Sequence, residues 1–589
     1  MIRARFDDLV PGSERSFRLV EPVTELVARS TADVPRVLAA AEAEAARGRW
    51  VGGFVSYDAA PGLDPALTVR ALDRGSEFAD LPLAWFGVFG RREPLEPPAP
   101  SNDAPAVGWT TSVPRERYVG SVERIRALIT RGETYQVNHT LRMRATLDVA
   151  ALDGLYADLL LAQRGGFGAD LDTGAFRVLS ASPELFFAWR GDAIVTRPMK
   201  GTARRGRWPD EDDAAAARLR SSDKDRAENA MIVDLLRNDL GRIAVPGTVV
   251  AESLFDVERY ETVWQMTSTI AAALPAATTL EAVFRALFPS GSVTGAPKVA
   301  SMSAIARLED SARGVYTGAI GFLAPPGAGE PRAVFSVAIR TIQLETATGG
   351  AEYGVGAGIT FGSNGDAEYD EVEAKARVLL ERRPAFELFE TLAWEPGAGY
   401  RHLDEHLDRM SRSARYFSFG FDRRRALAAL ARAGAGATGA ARVRLTLGRE
   451  GALSTQTTAL QPAADEAVRL ALVEDDPVDA TDVWLFHKTT RRAEYDRRRA
   501  RRPDADDVLL VNEGGAVTES TVANVAVRLG GTWWTPPIGD GLLAGTYRTV
   551  LVRNRSVRER SLSIADVRSA EEVALVSSVR GWRPAVLLA

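Results

Sequence analysis

The 589-residue chain contains no cysteine and only four histidines: His139, His402, His406 and His487. Disulfides, thiolate metal sites, iron–sulfur clusters and a cysteine nucleophile are thereby excluded, and redox chemistry leaves the compartment open. With so little imidazole, acid–base work falls on Glu, Asp and Lys. No apolar run approaches the about 18 residues of a membrane span, and the opening MIRARFDDLVPG has acids and a proline where a signal peptide needs an apolar core. The expectation is a cytoplasmic enzyme with no membrane partner. An excess of one charge is also missing, since 73 Lys and Arg face 78 Asp and Glu for a net charge of -5. Such a chain offers a polyanion no global field, so nucleic acid is not expected as a partner.

What is present is globular: 46% hydrophobic and 26% charged residues, enough apolar surface to offset the entropy of ordering. The length allows about three or four domain-sized units. Prolines gather near Pro94, Pro97, Pro98, Pro100 and Pro105, reading as a loop or internal linker. Beyond Val113, YVGSVERIRALITRGE has helical spacing and YQVNHTLRMRATL alternates like a strand. Three β-rich runs between 315 and 362 predict an antiparallel meander, and DAEYDEVEAKARVLLERR predicts a helix stopped by Pro384. Past that proline, FELFETLAW, HLDEHLDRMSRSARYF, ARVRLTLG, DDVLLVN, VANVAVRL and GLLAGTYRTVLVRN form a second mixed unit, so the main boundary is set at 383.

Several residues stand where chemistry needs them. Asp225 and Glu228 are three apart on one predicted helix, and Glu368, Glu371 and Lys375 share a face of another. Two such faces brought together would offer hard oxygen ligands to Mg²⁺, although the spacing alone fits ordinary exposed helix charge better. Lys200, in TRPMKGTARRG, is expected where a strand gives way to a loop, as a nucleophile, an anion contact or a plain surface lysine. FPSGSVTGAPK has the Gly/Ser/Thr content of an anion-binding turn but not the spacing of a Walker A loop.

Taken in order, YQVN, SPELF, PMKGT, KDRAENAMIVDLLRNDL, FPSGSVTGAPK, YTGAIGF, FSVAIRT, VGAGI and the helix from Glu371 to Lys375 resemble the chorismate-utilising enzymes. That family holds anthranilate synthase, isochorismate synthase and aminodeoxychorismate synthase component I, and the likeness runs from about Arg115 to Leu380. A lysine before Gly-Thr, here Lys200, resembles aminodeoxychorismate synthase, whereas anthranilate synthases carry alanine there. The resemblance implies that Lys200 attacks C2 of chorismate while Glu184 protonates the leaving C4 hydroxyl, with ammonia then entering C4 as the lysine departs. It implies Mg²⁺ on Glu228 and Glu371 with Asp225 and Glu368 outside them, and substrate contacts from Tyr316, Arg340, Gly356, Gly358, Lys375, Thr294 and Gly295. Gln265 stands where many relatives have histidine, which argues against elimination of pyruvate in this unit. The ammonia must come free or from a separate glutamine amidotransferase, whose nucleophile is a cysteine.

In the second unit, Lys488 is expected after a strand, Glu519 in a Ser/Thr-rich turn, and Gly545 ahead of a helix whose N–H groups suit a phosphate. FETL, HLDEHLDRM, HKTTRR, VTESTVANV, TPPIGDGLLAGTYR and VSSVRGWRPAV, from Phe386 to Ala585, resemble the fold-type IV pyridoxal 5'-phosphate (PLP) enzymes, the family of branched-chain aminotransferase, D-amino-acid transaminase and aminodeoxychorismate lyase. The resemblance implies that Lys488 holds PLP and moves the proton, that Glu519 pairs with the pyridine nitrogen, and that Arg409, Thr546, Tyr547 and Ser578 hold the phosphate. Arg442 and Arg449 are weak candidates for the substrate carboxylate.

The fold expected is mixed α/β (α+β). An antiparallel-sheet sandwich with outer helices spans 1–383, with an N-terminal region at 1–112 and a chorismate-binding core at 113–383, and a two-subdomain PLP unit spans 384–589. The function expected is 4-aminobenzoate synthesis, serving folate, from chorismate through 4-amino-4-deoxychorismate, with a homodimer through the PLP unit implied by analogy. The alternatives are a synthase joined to an aminotransferase acting on amino acids, or to a degenerate dimerisation module.

Overall fold

The computed structural model describes every residue except 1, 11–14, 74, 100–106, 377–378, 380–384, 463–465 and 589. Pro100, Pro105, Leu380 and Pro384 lie outside the described residues, as does the expected boundary at 383. Two compact units result: Met1–Arg204 with Ala215–Pro384, and Arg205–Ala214 with Ala385–Ala589. Assignment of the short segment Arg205–Ala214 to the second unit has no forewarning in the sequence pattern. Among the described residues no helix is long and apolar enough to cross a membrane.

In the first unit antiparallel pairings form a long continuous path. The alternating run expected after Tyr135 is the strand Gln136–Thr146, paired along its length with Gly350–Ile359 so that Gly358 faces Asn138 and Gly356 faces Thr140. From there the path passes through Thr341–Glu345, Phe176–Ser182, Phe167–Asp172 and Arg3–Asp7. It continues through Phe17–Ala28, Ala84–Pro94, Trp50–Val55 and Ala319–Leu323, so the N-terminal residues are woven into the same sheet as the core. Ala333–Val337, Leu185–Arg190, Ala193–Arg197 and Val263–Ala273 extend it, and Met199–Arg204 and Val250–Arg259 pair with the last of these.

The meander expected over 315–362 forms as two antiparallel hairpins, Ala319–Leu323 with Ala333–Val337 and Thr341–Glu345 with Gly350–Ile359, and is broken inside the middle run. Ala333–Val337 pairs with Leu185–Arg190, whereas the next strand, Thr341–Glu345, pairs with Phe176–Ser182. Between them Arg340 takes φ 53°, a left-handed conformation that breaks the ladder and sends the two strands to different partners. Helices Val34–Ala46, Asp223–Gly241 and Leu280–Leu287 cover one apolar core, in which Phe86, Phe187, Phe284 and Phe335 interlock. Helices Arg115–Thr130, Leu152–Gln163, Lys298–Leu308 and Gly365–Ala376 cover a second.

In the second unit Leu388–Glu395, Gly399–Tyr400, Ala441–Leu447 and Leu453–Ala459 make a four-stranded antiparallel sheet. The helix Leu403–Phe417 lays Leu407, Met410, Ala414 and Phe417 onto it, the i, i+3, i+7 stripe that HLDEHLDRMSRSARYF announces. A nine-stranded sheet follows, with Val468–Val478 parallel to Asp507–Asn512. The Ala/Arg-rich run is the helix Arg423–Ala435, started by the Asp422 side chain, which accepts from the N–H groups of Arg424 and Arg425.

Phe335 is fully buried between three other rings, so Phe335→Ala should lower the unfolding free energy of the first unit by ~3–5 kcal/mol. Val299, 46% exposed, should change it by no more than ~0.5 kcal/mol when replaced by alanine. Urea titration of both variants checks the contrast.

Candidate active sites

Lys200 is not at a strand-to-loop junction but inside the strand Met199–Arg204, at a register shift against Val263–Ala273. The shift depends on Gly201, whose φ of +99° is in the left-handed region and whose missing Cβ would stand 3.1 Å from that of Asp225. Around this bulge the backbone is pinned. Asn229 Nδ2 donates to the Lys200 carbonyl at 3.1 Å, Gln265 Nε2 donates to the Gly201 carbonyl at 2.8 Å, and Thr202 Oγ1 donates to Gln265 Oε1 at 2.9 Å. The Lys200 amine lies 3.6 Å from Glu228 Oε2 and against the Gly358 backbone, where a Cβ would stand 2.2 Å from Nζ. Burial lowers its pKa, with Glu228 opposing and Lys375 adding to the effect.

Glu228 lies beside this amine, and the charges of Glu371 and Glu368 act on it. Glu228 is on the helix Asp223–Gly241, whose start is capped by Ser222 accepting from the Asp225 N–H, while the Ser222 hydroxyl donates to Asp225 Oδ2. On Gly365–Ala376, Lys375 Nζ donates to the Gly356 carbonyl at 2.9 Å and pairs with Glu371 Oε1 at 2.7 Å. Against the cost of its burial, Lys375 and Lys200 hold Glu371 below the ordinary carboxylate range; burial and then the neighbouring Glu371 outweigh a Ser363 hydrogen bond and raise Glu368. Among the described residues no three His, Cys, Asp or Glu are gathered as metal ligands; Glu228 and Glu371 face lysines instead.

Glu184 is buried, and that burial pushes its pKa up to about 7. It accepts a 2.6 Å hydrogen bond from Ser292 Oγ, a residue that spacing did not single out. Thr294, expected at the substrate, is instead fully buried and donates to the Ser290 carbonyl at 3.0 Å. Gly295, with φ +134°, pairs with Val137 and leaves only 2.0 Å between its missing Cβ and the Gln136 carbonyl. Tyr316 packs its ring against Gly354 under the Arg142 guanidinium, with burial raising its pKa to about 12. Arg340 Nη1 donates to the Lys375 carbonyl at 2.9 Å, tying the break between the two strands to the helix of Glu371.

In the second unit Lys488 follows the short 3-10 helix Val483–Phe486 rather than a strand. Its Nζ lies 4.8 Å from the centre of the Phe389 ring, and burial, reinforced by Arg409, lowers its pKa to about 8. Glu519 is in the strand Ala516–Ser520 rather than a turn, buried, and pushed up to about 7 by that burial. It accepts from Tyr495 Oη at 3.0 Å, Asn524 Nδ2 at 3.2 Å and the Leu543 N–H at 3.2 Å. Arg409 forks onto Glu390 through Nε and Nη2 at 2.8 and 2.6 Å, and its Nη1 donates to the Ala544 carbonyl at 3.0 Å. Thr546 begins the helix Thr546–Arg553, and Gly545 before it has no room for a Cβ, which would stand 2.0 Å from Asn524 Oδ1.

The Tyr547 ring stacks on His402, and Ser578 is in the turn after Glu572–Ser577. Arg442 and Arg449 turn to Thr458 and to the Phe417 carbonyl. A buried amine of lowered pKa, a buried acid and helix N–H groups beside an arginine fit an aldehyde, a ring nitrogen and a phosphate respectively. Glu390 and His406 stand within FETL and HLDEHLDRM, yet nothing in their spacing marks them.

Residues 12–381 match the chorismate binding enzyme family, and residues 387–588 match the amino-transferase class IV family. The aminodeoxychorismate synthase of Streptomyces griseus is 42% identical over 267 residues, 45% of this chain and 36% of that protein. Aminodeoxychorismate synthase component 1 of Salmonella typhimurium is 40% identical over 273 residues, 46% of this chain and 58% of that protein. Thus the chain spans about a third to three-fifths of the length of these curated relatives. Among solved structures, anthranilate synthase component I from Streptococcus pneumoniae TIGR4 aligns with a TM-score of 0.53 at 25% identity, covering 63% of this chain and 93% of that one. With a match that takes in well over half its length, the chain belongs to the chorismate binding enzymes, and a class IV aminotransferase region follows in the same polypeptide.

Proposed function

We propose that the chain makes 4-aminobenzoate from chorismate in two steps, one in each unit. The observation that carries the reading is the Lys200 amine: desolvated, 3.6 Å from Glu228, at the position where a lysine resembles aminodeoxychorismate synthase. As a free amine Lys200 adds to C2 of chorismate, the ring double bond shifts, and the C4 hydroxyl leaves as water with the proton of Glu184. Ammonia then adds at C4 and Lys200 leaves C2, which restores the amine and yields 4-amino-4-deoxychorismate. Gln265 supports this over anthranilate formation, because its amide is engaged by Gly201 and Thr202 and has no proton to give at a useful pKa. Ammonia comes free or from a separate amidotransferase, since the chain has no cysteine to serve as a glutaminase nucleophile.

A hard divalent cation such as Mg²⁺ suits the carboxylates of Glu228 and Glu371, with Asp225 and Glu368 outside them, and would favour the ionised form of Glu368, which burial and then Glu371 oppose. There it would supply positive charge for the substrate's ring carboxylate. Lys375 and Arg340 order the helix that carries Glu371.

In the second unit, with PLP present, the site gains an electron sink for the pair released at C4. Lys488 would hold the aldehyde and, once displaced from it by the substrate's 4-amino group, would be free to take the C4 proton; Glu519 would face the ring nitrogen, and Arg409 with the Thr546 and Tyr547 N–H groups and Ser578 would take the phosphate. Loss of pyruvate then aromatises the ring to 4-aminobenzoate.

With chorismate and ammonium supplied, Lys488→Ala should accumulate 4-amino-4-deoxychorismate, read by chromatography. Formation of 4-aminobenzoate at the wild-type rate by this variant would remove the second unit from the reaction. Glu184→Gln should slow chorismate consumption by ~10²–10⁴-fold.

The pH profile follows from the same groups. Glu184 must carry a proton, so with a pKa near 7 the first step should fall as pH rises through about 7. Lys200 must lose one, so the rate should also fall on the acid side, and the depressed pKa moves that limb below an ordinary lysine's. Initial rates of chorismate consumption should therefore rise and then fall with pH, and a rate still rising at the alkaline end of the profile would contradict the role of Glu184.

A further inference from the structure

We propose that Glu390 is a positioning residue for the phosphate end of the second site, aiming Arg409 directly and Thr546 through His406. This rests on the PLP reading above. Glu390 is on the strand Leu388–Glu395, opposite Leu445, where an apolar residue would be the cheaper occupant of a core face. It is instead an almost fully buried carboxylate with every visible partner on the phosphate side of the site. Arg409 Nε donates to Oε1, Arg409 Nη2 donates to Oε2, and His406 Nδ1 lies 2.6 Å from Oε2. Burial alone would raise its pKa; Arg409 and His406 overcome that and hold it at about 2.

The ionised carboxylate decides the rest of the chain of bonds. His406 is itself buried, which lowers its pKa and keeps it neutral, so its one proton sits on Nδ1 and is donated to Glu390. Nε2 must then accept, and the Thr546 hydroxyl 3.3 Å away donates to it. Thr546 therefore spends its hydroxyl proton on His406, and what it offers an anion is its backbone N–H at the start of the helix Thr546–Arg553. Arg409 has five N–H donors; Glu390 takes two and the Ala544 carbonyl one, which leaves one on Nη1 and one on Nη2. One buried carboxylate thus sets both the guanidinium and the helix start.

PLP and pyridoxal test this, since they share an aldehyde and ring and differ only in the phosphate. Equilibrium dialysis of the full chain should show Glu390→Gln weakening PLP binding by ~10–100-fold while pyridoxal binding is unchanged. His406→Asn, which keeps a donor but cannot reach Thr546, should shift PLP in the same direction and decides the matter if the Glu390 variant does not fold. Equal loss of both ligands, or loss of neither, would overturn the inference and make Glu390 a structural residue. If the wild-type chain binds neither PLP nor pyridoxal, the PLP reading itself fails.

Discussion

A lysine ammonium gives up its water shell when it enters a protein interior, and unless a carboxylate repays that loss in full the amine is held as the free base more readily than in water. Both units depend on this imbalance. Lys200 has Glu228 at 3.6 Å, too far for a tight pair, with Lys375 pushing the other way. Lys488 has the face of Phe389 beneath it and Arg409 as its strongest charged neighbour. Each amine is matched by a buried carboxyl, Glu184 or Glu519, whose own burial shifts it upward to about 7. Amine and acid are thus brought toward the same pH range, where proton transfer between enzyme and substrate is least costly.

The architecture serves that requirement. A lysine on a regular strand would point where the pleat sends it; the bulge at Gly201 frees Lys200 from the pleat, and Asn229 and Gln265 hold the bulge by its carbonyls. Gly358 leaves the amine its place, since any side chain there would collide with it. In the second unit Glu390 has a comparable supporting role, a charge whose use lies in what it orients.

The sequence made some of this legible. Helical periodicity located Asp223–Gly241, Gly365–Ala376 and Leu403–Phe417, and with them the shared faces of Asp225 with Glu228 and of Glu368 with Glu371, because i, i+3 spacing is a local property. Hairpin pairing between neighbouring runs is legible, but distant strand partners are not local: the middle of the three β runs is split at Arg340, and its halves add Leu185–Arg190 and Phe176–Ser182 as further partners. Direction within a turn is equally hidden: Ser292 and Thr294 are alike by composition, yet one hydroxyl reaches Glu184 and the other the Ser290 carbonyl. Lys488 and Glu519 were identifiable from motifs while their settings, a 3-10 helix and a strand, were not.

On the proposed reading, one polypeptide carries chorismate through amination and then aromatisation. Incubating the purified chain with chorismate, Mg²⁺, PLP and ¹⁵N-ammonium, and identifying products by mass spectrometry, tests it most directly. The expected products are ¹⁵N-labelled 4-aminobenzoate and one pyruvate per ring. Labelled 2-aminobenzoate, or an aminated product that retains its pyruvate side chain, would contradict it.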